Sequence, residues 1–139
     1  MTKEEKLFVK ECDCPEIQKG WKPKYRDEVW CQFEARGWKG AIISPSILVA
    51  RTHLRIVNEQ GKISLYRKEN LIFLPSLDQL ITLMVGAKRY IGMSYNEKNK
   101  EQFTFIYNLP KFPRVAYVDG KTPEIAAVKA WKSILKEEK

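Results

Sequence analysis

Phe103, Phe105, Tyr107 and Leu109 alternate with Thr104, Ile106 and Asn108. A period of two puts the first set on one face of a β-strand, and that apolar face has to be covered by something. Upstream segments have the same character. Residues 29–33, 41–43 and 47–50 are short apolar runs separated by Gly37, Gly40 and Ser44-Pro45-Ser46. Residues 54–57 and 62–66 flank Asn58-Glu59-Gln60-Gly61, where Asn opens and Gly closes a type I turn, and this predicts a hairpin. Residues 71–74 read as a buried strand. Residues 114–118 read as a last short strand before an Asp119-Gly120 turn.

Helical spacing lies toward the ends and after the central strands. Leu7, Phe8 and Glu11 or Cys12 mark a helix over residues 3–12. Asp13 is placed to cap a helical turn over residues 14–19, with Pro15 near its first position and Gly20 at its end. Ser76 and Gln79 have the spacing of a reciprocal cap. Leu77, Leu80, Ile81 and Met84 share one face of the helix they open, and Gly86 is placed to end it. The chain turns polar over residues 88–102, with a loop at 95–101. Thr122 caps and Pro123 starts a final helix whose inner face is Ile125, Val128, Trp131 or Lys132, and Leu135. There is no repeating βα unit. The pattern predicts an α+β fold, a mainly antiparallel sheet with two or three helices packed against it.

A chain of 139 residues is expected to be a single domain, 1–139. That length buries enough surface to fold without metal or disulfide staples. The N-terminus is charged and has no secretory apolar core, and the apolar runs are too short to span a bilayer. The expected location is the cytoplasm, with no membrane partner. The three cysteines make an odd count, which argues against a disulfide framework. Cys12 and Cys14 are one residue apart, and with Cys31 and His53 they would make a poor zinc set, because a second tight pair is missing. No metal and no cofactor is therefore expected. Cys31 fits a small core residue in a strand, and Cys12 and Cys14 fit a turn that ends a helix.

Three segments have a recognisable character: Cys12-Asp13-Cys14-Pro15-Glu16-Ile17-Gln18 with the following Trp21-Lys22-Pro23, then Phe73-Leu74-Pro75-Ser76-Leu77-Asp78-Gln79-Leu80, then Thr122-Pro123-Glu124-Ile125-Ala126-Ala127-Val128-Lys129-Ala130-Trp131. Together they resemble a family of small uncharacterised proteins encoded by bacterial phages and prophages. The resemblance implies a genomic context and a bacterial host cell, and it implies no particular chemistry. Members of that family commonly have Gly-Asp where this chain has Arg26-Asp27, which puts a positive-φ turn in question at Arg26. They often have Arg-Gln at the position of Ser76-Leu77. The block therefore reads as structural, with Pro75 stopping a strand, Ser76 capping and Asp78 favouring the positive helix end.

No catalytic constellation is visible, so an enzyme is not expected. One histidine rules out two-histidine metal motifs, and Gly37-Trp38-Lys39-Gly40 lacks the spacing of a phosphate loop. The net charge of +8 favours acidic partners. Basic and aromatic residues interleave at residues 19–26, at Arg36-Gly37-Trp38-Lys39 and at Lys88-Arg89-Tyr90. Rings of this kind can stack on unpaired bases while Lys and Arg hold phosphates. The candidate nucleic-acid-binding residues are Arg36, Trp38, Lys39, Lys88, Arg89 and Tyr90. Each also has a plain structural reading: Trp38 covering a hairpin tip, Lys88 and Arg89 following a helix end where cations are favoured. The expectation is a phage- or prophage-related, non-enzymatic binding or accessory protein that meets a phage or host protein. The alternative is a nucleic-acid-binding accessory protein in phage replication or regulation.

Overall fold

The computed structural model describes residues 2–31, 37–44, 53–98, 103–110 and 114–138. Among them lie helices α1 (Lys3–Cys12), α2 (Pro15–Gln18), α3 (Leu77–Gly86) and α4 (Pro123–Glu137). The strands are β1 (Glu28–Cys31), β2 (Trp38–Ser44), β3 (His53–Asn58), β4 (Ile63–Arg67), β5 (Leu71–Leu74), β6 (Tyr90–Tyr95), β7 (Phe103–Asn108) and β8 (Val115–Gly120). The fold is α+β, with helices packed on antiparallel sheets. There are two sheets where the sequence predicted one. No described helix is long and apolar enough to cross a membrane.

The first sheet has five strands in the order β4-β3-β2-β1-β5, all antiparallel. A 3-10 turn at Lys68–Asn70 joins its two outer strands. Laid flat, those strands would stand about 19 Å apart, at ~4.8 Å per neighbour. A 3-10 segment advances only about 2 Å per residue, so this link requires the sheet to curl. The β3–β4 hairpin is the one the sequence predicts. Asn58 Oδ1 accepts from the backbone N–H groups of Gln60 and Lys62, and Gly61 takes a φ of +82°.

Alternation along these strands divides the side chains between two cores. Val29, Cys31, Ile42, Leu54, Ile56 and Leu71 pack on one face of the curled sheet. Trp30, Ile72 and Leu74 point the other way, into a cluster with Val9 and Cys12 of α1, Ile17 of α2, and Leu80 and Met84 of α3. That cluster continues through α4 to Phe105 and Tyr107 of the second sheet, whose order is β6-β7-β8. The helices thus form a layer shared by both sheets. Burying a side chain such as Phe105 in that layer stabilises by roughly 2–3 kcal/mol. Small residues let α4 sit close. A Cβ added at Gly120 would meet Ala126 N at 2.5 Å.

Several local expectations need correction. Asp13 does not cap α2. It ends α1 by donating its backbone N–H to Val9 O, and Cys14 sits at the start of α2 with no side-chain cap. Gly40 lies inside β2 and does not separate strands. An added Cβ there would clash with Ile56 and the Trp38 ring at 2.6 Å, so the position demands a close approach. Residues 90–95, at the start of the stretch read as polar, have no strand assigned by the sequence, and Tyr95 falls in the expected loop; they form strand β6. Their pairing with β7 supplies the order that a short sequence interrupted by Gly92 and Ser94 does not signal. Asp119 and Gly120 belong to β8, paired with Thr104 and Phe103. In α4 the deeply buried residue near the end is Ile134, with Leu135 only half-buried, because the helix is covered from more than one side. The expected strand at 47–50, and residues 32 and 33 of the first strand, lie outside the described residues.

Candidate functional site

The candidate residues fall in two places. Trp38 and Lys39 are in β2 of the curled sheet, while Lys88, Arg89 and Tyr90 run from the end of α3 into β6 of the second sheet. Arg36 lies outside the described residues. Trp38 is half-buried and meets the Tyr66 ring edge-on at 5.5 Å. Lys39 pairs with Glu28 of the neighbouring strand at 3.2 Å. Tyr90 is half-buried against Phe105 at 5.8 Å, so the rings of Trp38 and Tyr90 pack into different cores.

Lys88 and Arg89 build the stop of α3. The Lys88 N–H donates to Val85 O at 3.0 Å and the Arg89 N–H to Met84 O at 2.8 Å, the paired bonds of a Schellman ending. This ending places its left-handed residue at Lys88, with φ +59°, so Gly86 remains inside the helix and is not its terminator. Lys88 stays exposed, where a cation favours the negative helix end. Arg89 is half-buried, and its Nε has no partner among the described residues.

A different assembly forms where the sequence segments 12–23 and 73–80 meet. Trp21 stacks flat on Phe73, with ring centroids 5.1 Å apart. Gln18 bonds the backbone of Phe73 from α2. Asp27 is the one buried polar or charged residue among those described, at 6% exposure. Its carboxylate accepts from Trp21 Nε1 at 3.0 Å, from the Lys24 N–H at 2.9 Å and from Gln79 Nε2 at 3.0 Å. Gln79 Oε1 in turn accepts from the Ser76 N–H, and Ser76 Oγ accepts from the Gln79 N–H, which completes the expected reciprocal cap. A buried carboxylate is tolerated when its lone pairs are met, and here two of the bonds fold the 20–27 loop on itself while the third, from Gln79, ties it to α3.

The tied loop carries exposed cations. Lys22, Lys24, Tyr25 and Arg26 face solvent, with Tyr25 59% exposed and the Arg26 guanidinium 5.3 Å from its ring. Arg26 has a φ of +74°, so the turn does require the left-handed conformation that glycine adopts freely. Its N–H donates to Ile42 O at 2.8 Å, which holds the strained turn on the sheet. From the 3-10 turn, Lys68 Nζ reaches Trp21 O at 2.6 Å and lies 5.6 Å from the indole ring. Between this loop and α3 is a cleft of about 420 Å³, lined by Trp21, Phe73 and Leu83 with Lys22, Lys24 and Asp78.

The interleaved cations of the loop were visible in the sequence. The Asp27 anchor was not, because one of its three partners is Gln79, far along the chain, and the other two carry no motif that marks them as donors to it. A carboxylate directly before an apolar strand and three residues after Lys24 was the only local signal.

The thiols are structural. Cys12 is buried in the shared helical core and Cys31 in the core on the far face of the curled sheet, so the two do not converge. Burial pushes the Cys31 thiol up to about 12. Burial, then the nearby Cys14 thiol, pushes Cys12 up as well. No group of three or more His, Cys, Asp or Glu side chains among the described residues is placed to hold a metal ion. No family model matches the chain, and neither does any curated protein or solved structure.

Proposed function

We propose that this is a non-enzymatic, phage- or prophage-related binding protein of the bacterial cytoplasm, and that its binding surface is the 20–27 loop. The observation that carries this reading is Arg26. The chain holds an arginine, stacked beside an exposed tyrosine, at a backbone position that costs an L-residue about 1–2 kcal/mol relative to its relaxed conformations. Strain of this kind persists when the surrounding structure imposes it, and it concentrates at binding sites. The Arg26 N–H bond to Ile42 O and the Asp27 carboxylate bonds to Trp21, Lys24 and Gln79 hold the loop in this conformation.

The nucleic-acid reading is favoured over a protein partner by the same loop. Lys22, Lys24 and Arg26 bracket the exposed Tyr25 ring, which is the combination that holds phosphates and stacks a base. Trp38, Lys39, Lys88, Arg89 and Tyr90 have structural work of their own, so the interface centres on the loop.

The test is a salt titration of binding to single- and double-stranded DNA and RNA, followed by Arg26→Gly. Arg26→Gly is expected to raise stability and weaken binding together. Lys24→Ala should lower the salt slope by about one unit. If no strand binds in a salt-sensitive way, the nucleic-acid reading fails and a protein partner takes its place. If Arg26→Gly leaves binding of every partner intact, the loop is not the surface.

A further inference from the structure

We propose that the cleft between the 20–27 loop and α3 receives one unstacked nucleobase that carries an exocyclic amino group. This rests on the nucleic-acid reading above and adds to it where a base goes and which edge is read.

Four features of the cleft point that way. Its lining includes the aromatic Trp21 and Phe73 together with Leu83 of α3, which is left 46% exposed. Its volume, about 420 Å³, is in the range of sites for small planar ligands. Its cations are on one side only, with Lys22 and Lys24 on the loop rim, continuous with Tyr25 and Arg26. Opposite them is Asp78, exposed on the first turn of α3, with no hydrogen bond or ion pair among the described residues.

A nucleotide matches this polarity in both directions. Its phosphate is anionic and stays outside, against Lys22 and Lys24. Its base is flat and enters the apolar space. A carboxylate accepts hydrogen bonds and donates none, so Asp78 pairs with the exocyclic amino group of a base such as cytosine or adenine, whereas thymine and uracil have a carbonyl in its place and only an N3–H flanked by two carbonyls. Gln79 does not compete, because both ends of its amide are already bonded, to Asp27 and to the Ser76 N–H. An apolar side chain from an acidic peptide would fill the space but leave Asp78 without a donor. A basic peptide would meet Lys22 and Lys24.

The test uses a fluorescent thymidine-only strand of about twelve nucleotides, within the span of typical single-strand sites, and the same strand with one central cytidine. The cytidine strand is expected to bind about tenfold more tightly, the size of one charge-assisted hydrogen bond. Asp78→Asn should close that gap, and Leu83→Ser should weaken the cytidine strand more than the thymidine strand. Both positions are exposed, and a retained cooperative thermal transition confirms that each variant folds, with a small fall expected for Asp78→Asn at the positive end of α3. Equal binding of the two strands, with loss on Lys24→Ala, would overturn the cleft assignment and leave the loop reading standing. A gap that survives Asp78→Asn also overturns it. Absence of binding by either strand overturns both. A Leu- and Glu-containing peptide that binds the wild type, fails on Leu83→Ser and is not displaced by either strand would give the cleft to a protein partner and sink the proposal.

Discussion

The side-chain amide of Gln18 pairs with both backbone groups of Phe73. Its Oε1 accepts from the Phe73 N–H at 2.8 Å, and its Nε2 donates to the Phe73 carbonyl at 3.0 Å. Nε2 also donates to Cys12 O at 2.9 Å. Phe73 is in β5, an outer strand, so the amide takes the place another strand would occupy at that point. This gives Gln18 a structural reason to be glutamine: no other side chain of that length both donates and accepts in one plane.

Gln18→Ala should therefore destabilise the protein by about 2 kcal/mol, since it leaves strand groups unpaired in a partly buried setting. Gln18→Glu should recover little, because a carboxylate accepts from the Phe73 N–H but repels the two carbonyls. Urea denaturation of both variants measures this. A neutral Gln18→Ala would show that water replaces the amide without loss.

Two basic residues occupy left-handed backbone, Arg26 and Lys88. Replacing either by glycine relieves the strain and adds some freedom to the unfolded chain. The net expectation is a gain of up to about 1 kcal/mol for Arg26→Gly. Lys88→Gly should gain less, because it also removes a cation from the C-terminal end of α3. Thermal or urea midpoints decide. Loss of stability in both would mean that the side chains make favourable contacts outweighing the backbone cost.

Ser76→Ala removes one acceptor from the start of α3 and should cost about 1 kcal/mol. Gln79→Ala should cost more. It removes the other half of the cap and also frees one bond of the buried Asp27 carboxylate. From the sequence alone the opposite order is expected, with Gln79 the cheaper loss. Equal and small effects would mean that Asp27 finds water in place of Gln79.

The buried thiols make stability fall at alkaline pH. Unfolded cysteines ionise near about 8.5 to 9, whereas Cys31 resists until about 12 and Cys12 is shifted the same way. Above pH 9 the unfolded chain has lost protons that the folded chain keeps, so the folded state becomes less favoured as pH rises through that window. The contribution is complete below pH 9. Urea midpoints at pH 8 and pH 10 should differ less in Cys31→Ala than in the wild type, against its own lower baseline. Thiol reagents should label Cys14 first in the folded protein, as the half-buried member of the three.

Local signals carried the sequence reading wherever a short stretch held its own explanation. The α1 span, the Asn58–Gly61 turn, the Ser76 cap, the alternation of β7 and the Thr122-Pro123 start of α4 all belong to that class. What escaped depends on residues distant in the chain. β6 is ordered by β7, and its outward-facing residues give no alternation strong enough to read. Gly40 looks like a breaker until Ile56 and Trp38 are seen against it. Trp38 and Tyr90 look like stacking rings until each is found packed in a core. In the loop the cations were legible, but the anchor that fixes them was not. Asp27 meets Gln79 only because β1 lies beside β5, and β5 leads into α3.

The helical layer has a consequence for how the protein comes apart. Leu74 of the curled sheet and Phe105 of the second sheet share one cluster, with α4 between them. α1 and α2 cover β5, α4 covers β7, and α4 packs on α1, α2 and α3, so both strands lose their cover when this one layer opens. Amide protons in β5 and β7 are therefore expected to exchange with solvent through one common opening, at one free energy, although no hydrogen bond links the two strands.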